Sequence, residues 1–292
     1  MTLGPRAIVL AFRAAWRVVP VIPERWAAPV VRLLADLAWL RNGPGVRRLQ
    51  ANLARVTAVD PASDQARRLA RDGMRSYARY WRELFAISAW DAQELARRVR
   101  VEDVDVLDRA LAGGAGVIIV AAHCGNWEAP AALLAPRMGG ATTVAERLRP
   151  EELFQAFCRV RERFGLEILP HAGGERPAFQ VLRERLEQGR VVALVSDRDL
   201  GRRGVPVTFF GETARMAGGA ASLALATGAP ILAAECFYEE RGAVARFHAL
   251  HAEQEDTVET LTQRMADLFA TFIAAHPADW HMLQRVWIEE AQ

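Results

Sequence analysis

A chain of 292 residues, 51% hydrophobic and 25% charged, is long enough to bury a large core and too apolar to be disordered. A formal charge of only +2 argues against binding nucleic acid through a bulk positive surface. All 37 basic residues are arginine, so no lysine can serve as base or Schiff-base former, and every cation is a planar fork suited to phosphate or carboxylate.

The first 40 residues are rich in Leu, Val, Ala and Trp, but Arg6, Arg13, Arg17, Arg25, Arg32 and Asp36 interrupt them. No uncharged run approaches the roughly 18–20 residues of a membrane span, and the stretch lacks the h-region and cleavage site of a signal peptide. Pro20, Pro23 and Pro29 should break it into short helices. Arginines with Trp16, Trp26 and Trp39 on apolar helices suit a membrane interface, while an ordinary packing layer accounts for them equally well. "GVRRLQANLARV" has amphipathic spacing. "DPASDQARRLARDGMRSYARYWRELFAISAW" predicts a long helix with Asp60 as cap and Pro61 in the first turn, and Leu69, Tyr77, Trp81, Leu84 and Phe85 near one face. A further helix is expected from Val104 to Leu111.

From there strands and helices alternate. "GVIIVAA", "ATTVAE", "LEILP", "RVVALVSD", "VPVTFF", "APILAAECFY" and "AVARFHAL" read as strands. "PEELFQAFCRVRERFG" reads as a helix between Pro150 and Gly165. "GERPAFQVLRERLEQG", "MAGGAASLALATG" and "DTVETLTQRMADLFATFIAAHP" read as further helices. The pattern predicts an α/β fold with a single, mostly parallel central sheet, flanked by helices on both faces, and an N-terminal helical appendage. We divide it into a helical, membrane-facing layer over residues 1–100 and an α/β unit over 101–292, together one integrated structure.

Cys124, Cys158 and Cys236 are odd in number and widely spaced, which gives no disulfide framework and fits a reducing compartment. His248 and His251 form an isolated HxxH with too few convergent ligands for zinc. The chemistry-bearing stretch is "VIIVAAHCGNWE". In open α/β sheets ligand groups collect just past the carboxyl ends of strands. His123 and Asp197 both stand there, each close behind an apolar run, and Glu128 offers a second carboxylate five residues after the histidine. Five residues turn about 140° on a continuous helix. Gly125 and Asn126 therefore imply a turn, with a helix starting near Trp127. An imidazole backed by a carboxylate is a general base. There is no GxSxG elbow, and Cys124 directly follows the histidine, which disfavours it as His123's nucleophile. A base without a protein nucleophile points to direct attack by a substrate hydroxyl.

"HCGNWE" resembles the His-x4-Asp/Glu motif of the glycerolipid and lysophospholipid acyltransferases. "AERLRPEELFQAFCRVRERFG", "DRDLGRRGVPVTFFGE" and "ADWHMLQ" resemble its lipid A acyltransferase-like branch. "YARYWRELF" and "SDRDL" are most similar to the branch members of actinobacteria that acylate phosphatidylinositol mannosides. The resemblance runs from about Arg48 to Trp287.

The resemblance implies transfer of a long acyl group, typically palmitoyl, from acyl-CoA as co-substrate. The acceptor would be the 6-hydroxyl of a mannose in a glycolipid at an anionic membrane surface, the cytoplasmic face of the inner membrane. No cofactor, metal or nucleic acid is expected. His123 carries over as general base, oriented by Asp197, by Glu128 or by both. Glu146 and Arg161 match polar positions of the family's groove, and Arg149 lies in its Arg-Pro element. Asn126 and Arg198 join them as substrate-binding candidates, with Arg202 and Arg203 as further phosphate partners. Trp127, Phe209, Phe210 and Leu223 are candidate walls for the acyl chain, with plain core the simpler reading for most of them, and His281 is a rival histidine or a packed C-terminal element. A lipid A-type acyltransferase using acyl carrier protein, a thioester hydrolase and a non-catalytic lipid carrier are the alternatives.

Overall fold

The computed structural model describes residues 4–199, 201 and 204–288, so Arg202 and Arg203 lie outside the described residues. The chain starts with helices α1 (Pro5–Val18), α2 (Glu24–Leu40), α3 (Pro44–Val56), α4 (Asp64–Ala86) and α5 (Ala92–Arg98). Pro20 and Pro23 separate α1 from α2, as their fixed φ predicts. Pro29, expected to break the chain as well, lies inside α2. An interior proline costs about 3 kcal/mol. Here α2 is held by its packing on α4, where Asp36 accepts hydrogen bonds from the guanidinium forks of both Arg71 and Arg75. The start of α4 also departs from expectation. Asp60 accepts from the Ala62 amide at 2.8 Å in a preceding turn, and Ser63 caps the helix by accepting from Ala66 at 3.1 Å.

The rest is α/β. Strands β1 (Val99–Glu102), β2 (Val117–Ala121), β3 (Ala141–Ala145), β4 (Leu166–Pro170), β5 (Val191–Val195), β8 (Ile231–Glu239) and β9 (Gly242–Leu250) form one sheet, in the order β1-β9-β8-β2-β5-β3-β4. From β8 to β4 all pairings are parallel, and β9 alone is antiparallel to its neighbour β8. Strands β6 (Val205–Phe209) and β7 (Glu212–Met216) make a separate hairpin. Helices α6 (Val104–Ala112), α7 (Glu128–Met138), α8 (Glu151–Glu162), α9 (Ala178–Glu187), α10 (Gly219–Thr227) and α11 (Val258–Ala275) connect and cover these strands. The α/β class, the mostly parallel sheet and the N-terminal helices agree with the sequence. The pattern gave no sign of β1 or β7. The division expected after residue 100 falls within β1.

Strand alternation sorts the core into two layers. Ile118, Val120, Val192, Ile231 and Ala233 face a layer that includes residues of α3, α9, α10 and α11. Val117, Ile119, Ala121, Val191, Leu232, Ala234 and Cys236 face the other side, with Leu107 of α6 and Leu134 and Ala135 of α7. All five residues of β2 are buried, which explains why it reads as a continuous apolar run rather than an alternating one.

On the N-terminal helices the apolar surface is divided. Phe12 and Trp16 of α1 pack on an aromatic cluster with Trp81, Phe85 and Phe157. Leu10, Val21, Trp26, Val30, Leu33, Leu34 and Leu40 stay exposed, each by more than half of its surface. Among the described residues no helix is long and apolar enough to cross a membrane.

Candidate active site

The sheet register brings the histidine and aspartate together. Ala121 of β2 pairs with Val195 of β5. His123 and Asp197 each stand two residues beyond that pair, and with a period of two they leave the sheet on the same side. The His123 Nδ1 lies 2.5 Å from the Asp197 Oδ1, while the His123 amide donates to the Asp197 Oδ2 at 3.0 Å. Asp197 is fully buried. Burial pushes its carboxyl up, but the His123 imidazole, the Trp280 indole and the His123 amide outweigh that and hold it below the usual carboxylate range. With Nδ1 taken by Asp197, Nε2 is the ring nitrogen left to the cavity that His123 lines.

Between the histidine and α7 the chain turns at Gly125, whose φ is +53°. A side chain there would come within 2.8 Å of the Phe237 Cα on β8, so both conformation and space require glycine. Asn126 follows, buried, and its side-chain oxygen accepts from the amides of Glu128 and Ala129, each at 3.0 Å. Its amide nitrogen donates to Glu83 at 2.7 Å. Asn126, expected to contact substrate, thus spends its polar atoms capping α7 and tying it to α4.

Glu128, the nearer carboxylate in sequence, does not serve the histidine. It forms a bidentate ion pair with Arg161 of α8, whose Nε lies 2.9 Å from Oε2 and whose Nη2 reaches Oε1. Tyr80 stands 3.5 Å from the same carboxylate. The first turn of a helix points Glu128 toward the neighbouring helices and away from the strand end. Burial disfavours the Arg161 cation, yet the Glu128 charge outweighs it and raises the affinity of the guanidinium for its proton.

His123, Glu128, Arg161, Glu146 and Arg198 line one cavity of about 320 Å³, within the range of small-molecule sites. Arg198 donates to Glu146 at 2.9 Å, and its buried Nε has no partner among the described residues. Arg149 is exposed and does not line this cavity. Away from the ionic mouth the walls are apolar. Ala121, Ala193, Ala234 and Ala245 line the sheet side, Ala131, Leu134 and Met138 the α7 side, and Phe247 and Leu166 are further apolar parts of the lining. Four alanines on adjacent strands leave the space that larger side chains would fill. Trp127 lines the cavity as expected, but Phe209 and Leu223 are buried in the layer on the opposite face, with Phe210 packed against it. Cys124 is buried and its thiol is pushed well up by burial, which removes it as a nucleophile.

One further part of the site comes from the segment "ADWHMLQ" near the end of the described residues. Residues Asp279 to His281 lie along the His123 loop. The Gly125 amide donates to the Asp279 carbonyl at 2.9 Å, and the His281 amide donates to the His123 carbonyl at 2.8 Å. The Trp280 indole N–H donates to the Asp197 Oδ2 at 2.9 Å. Ser76 of α4 donates to Asp279 at 2.6 Å and lies 2.9 Å from the His281 Nε2. His281 is itself buried and pushed down to about 3 by burial and by nearby His123. It packs as a neutral ring at the C-terminal element.

Residues 3–289 match the family model described as bacterial lipid A biosynthesis acyltransferase. The chain is 44% identical to the phosphatidylinositol mannoside acyltransferase of Mycolicibacterium smegmatis over 288 residues, 99% of this chain and 94% of that protein. It is 45% identical to the phosphatidylinositol mannoside acyltransferase of Mycobacterium tuberculosis over 286 residues, 96% of this chain and 88% of that protein. With a match of this extent, the chain belongs to the bacterial lipid A biosynthesis acyltransferase family.

Proposed function

We propose that this acyltransferase moves a long acyl group, palmitoyl in the first instance, from acyl-CoA to the 6-hydroxyl of a mannose in a phosphatidylinositol mannoside. The observation that carries the chemistry is the His123–Asp197 pair, with Nδ1 held at 2.5 Å and Nε2 left to the mouth of an apolar cavity. His123 acts as general base. It takes the hydroxyl proton through Nε2 as the sugar oxygen attacks the thioester carbonyl. Asp197 fixes the tautomer and stabilises the imidazolium that forms. The carbon–sulfur bond then breaks, and the proton passes to the departing thiolate. A thiol, with a reference pKa near 8.5, leaves without a strong general acid.

The cavity accepts the acyl chain. Helix α7, which flanks it from Trp127 to Met138, is about 15 Å long at 1.5 Å per residue. That wall runs beside most of an extended long acyl chain, and an acetyl group would leave most of it unused. The Glu128–Arg161 pair and the Arg198–Glu146 pair stand at the ionic mouth, where hydroxyls or phosphates of the two substrates arrive. The exposed apolar residues of α1 and α2, interspersed with Arg6, Arg13, Arg17, Arg25 and Arg32, bind peripherally to an anionic membrane surface, the cytoplasmic face of the inner membrane.

The test offers palmitoyl-CoA with a panel of lipid alcohols, mannosylated and not, and reads products by mass spectrometry and CoA release by thiol titration. The expected result is acceptor-dependent CoA release and an acylated mannoside. A folded His123→Ala protein is expected to lose the activity, and one that transfers at the wild-type rate refutes the base assignment. CoA release indifferent to the acceptor would mark a thioester hydrolase instead.

A further inference from the structure

We infer that Trp280 is a positioning residue of the transfer reaction, its indole N–H setting how strongly Asp197 draws on the His123 imidazole. The inference rests on the reading of His123 as the base.

Asp197 and Trp280 both have no solvent exposure, so no water compensates a lost donor there. Among the described residues the carboxylate has three protein donors. Oδ1 takes the His123 Nδ1, and Oδ2 takes the His123 amide at 3.0 Å and the Trp280 indole at 2.9 Å. Two of the three come from His123 itself, so Trp280 is the outside donor. A carboxylate that gives part of its charge to an indole has less to give to the imidazole. The indole is held rigidly. Its ring packs edge-on against Phe209 at 5.9 Å and Trp287 at 6.0 Å, and its backbone forms a β-bridge with Cys124, next to the histidine. The flanking bonds from Gly125 to Asp279 and from His281 to His123 hold the same segment in register. Trp280 thereby links the two partners of the base pair from a third part of the chain.

Other ionisable groups surround this pair. His281 lies behind the loop, buried and neutral, with Asp279 and Ser76 beyond it. Across the cavity stand the Glu128–Arg161 and Glu146–Arg198 pairs, with Tyr80 beside Glu128 and Cys236 in the wall. Tyr77 and Cys124 complete the set. Among the described residues the Trp280 indole is the one neutral donor other than His123 itself that bonds the Asp197 carboxylate, and its removal leaves every other charge in place.

Removing the donor lets Asp197 pull harder on the Nδ1 proton, so the imidazole gains basicity while its orientation loosens. Trp280→Phe is therefore expected to move the acidic limb of the pH–rate profile upward by about half a unit to one unit. It should also lower the plateau kcat by roughly 10-fold, as loss of a supporting bond behind a reacting histidine does, with KM unchanged. Trp287→Phe is the control. It removes a neighbouring buried N–H that donates to the Phe209 carbonyl at 2.8 Å, while a phenyl ring still packs on Trp280 and the Trp280–Asp197 bond is untouched, so the acidic limb is expected at its wild-type pH. If Trp280→Phe does not fold, 3-benzothienylalanine at position 280 replaces the N–H by sulfur within the same ring shape. Equal pH profiles and equal kcat for the position-280 and Trp287→Phe variants overturn the inference. His123→Ala run in parallel separates the two levels. Transfer surviving in that variant sinks the base assignment, whereas a dead His123→Ala beside matching tryptophan variants sinks only the role of Trp280.

Discussion

Replacing Asp197 by Asn tests the wiring of the site most directly, because the geometry dictates how the amide must turn. The Asp197 Oδ2 serves two N–H donors, the His123 amide and the Trp280 indole, whereas Oδ1 serves the imidazole alone. An asparagine oxygen placed toward the two donors keeps both bonds. The amide NH2 then faces Nδ1 and forces it to accept, which moves the ring proton to Nε2 and abolishes the base. The opposite orientation would set an NH2 against two N–H groups in a fully buried place, at about 1–3 kcal/mol per unmet donor. The wrong tautomer is therefore favoured, and in Ser-His-Asp hydrolases the same exchange costs about 10⁴-fold in kcat. That corresponds to about 5 kcal/mol of transition-state stabilisation. The assay is acyl transfer from palmitoyl-CoA to the mannosylated lipid under saturating substrates, with circular dichroism as the folding check. A folded Asp197→Asn protein retaining more than a tenth of wild-type kcat would refute the reasoning, most pointedly if Glu128→Gln were the variant that lost it.

Three further expectations follow from other parts of the molecule. Met138→Trp narrows the cavity that Met138 lines and should shift the preferred acyl group to one shorter by about two to four carbons, each lost CH2 being worth about 0.8 kcal/mol of burial, as read by competition among acyl-CoA donors. The paired change Leu33→Glu and Leu34→Glu alters side chains that are each 59% exposed, so it should leave stability alone yet cut co-sedimentation with anionic liposomes at least 10-fold; unchanged binding would assign that surface another purpose. His281 is neutral in the fold, with its affinity for a proton pushed down to about 3 by burial, while the unfolded chain protonates it near 6.5. Between those values the unfolded state binds more protons, so stability falls as pH falls, by up to roughly 1.4 kcal/mol per unit. Urea midpoints of wild type and His281→Gln should therefore diverge from pH 6 to pH 4, and parallel curves would contradict this account.

Much of the site was legible because sheet chemistry writes itself into single strands. The apolar runs ending near His123 and Asp197 marked strand ends, and their parallel pairing followed from the alternation of elements. The partner of His123 stayed open in the sequence, since spacing alone favoured neither carboxylate. It was decided by Arg161, which lies 33 positions after Glu128 and claims that carboxylate through the packing of α8 on α7. Asn126 looked polar and available, but its place at the start of α7 turned it inward as a cap. Trp280 stood in the sequence only inside the segment "ADWHMLQ", with nothing to tie it to Asp197. Contacts between residues far apart in the chain, the Cys124–Trp280 bridge and its flanking bonds, put its indole on Asp197. The missed strand β1 is four residues long with one buried position, too short for a pattern to form. Pro29 misled for the opposite reason. A strong local rule was overridden by the tertiary grip of Asp36 on Arg71 and Arg75.

Helix α7 starts at Glu128 and ends at Met138. Its first residue is locked to Arg161 and both it and its last line the cavity, so on the proposed reading one helix runs beside the substrate from its reacting end toward its tail. Sliding the helix to accommodate a longer tail would tear the ion pair at its other end, a loss of about 3–5 kcal/mol when one partner of a buried pair is left alone. On that reading, tail length and headgroup chemistry are not independently adjustable by motion. They can be separated only by changing side chains along the helix. A population of these enzymes adapting to a new membrane composition would accordingly be expected to vary at Ala131, Leu134 and Met138 while the backbone between Asn126 and Gly139 stays where it is.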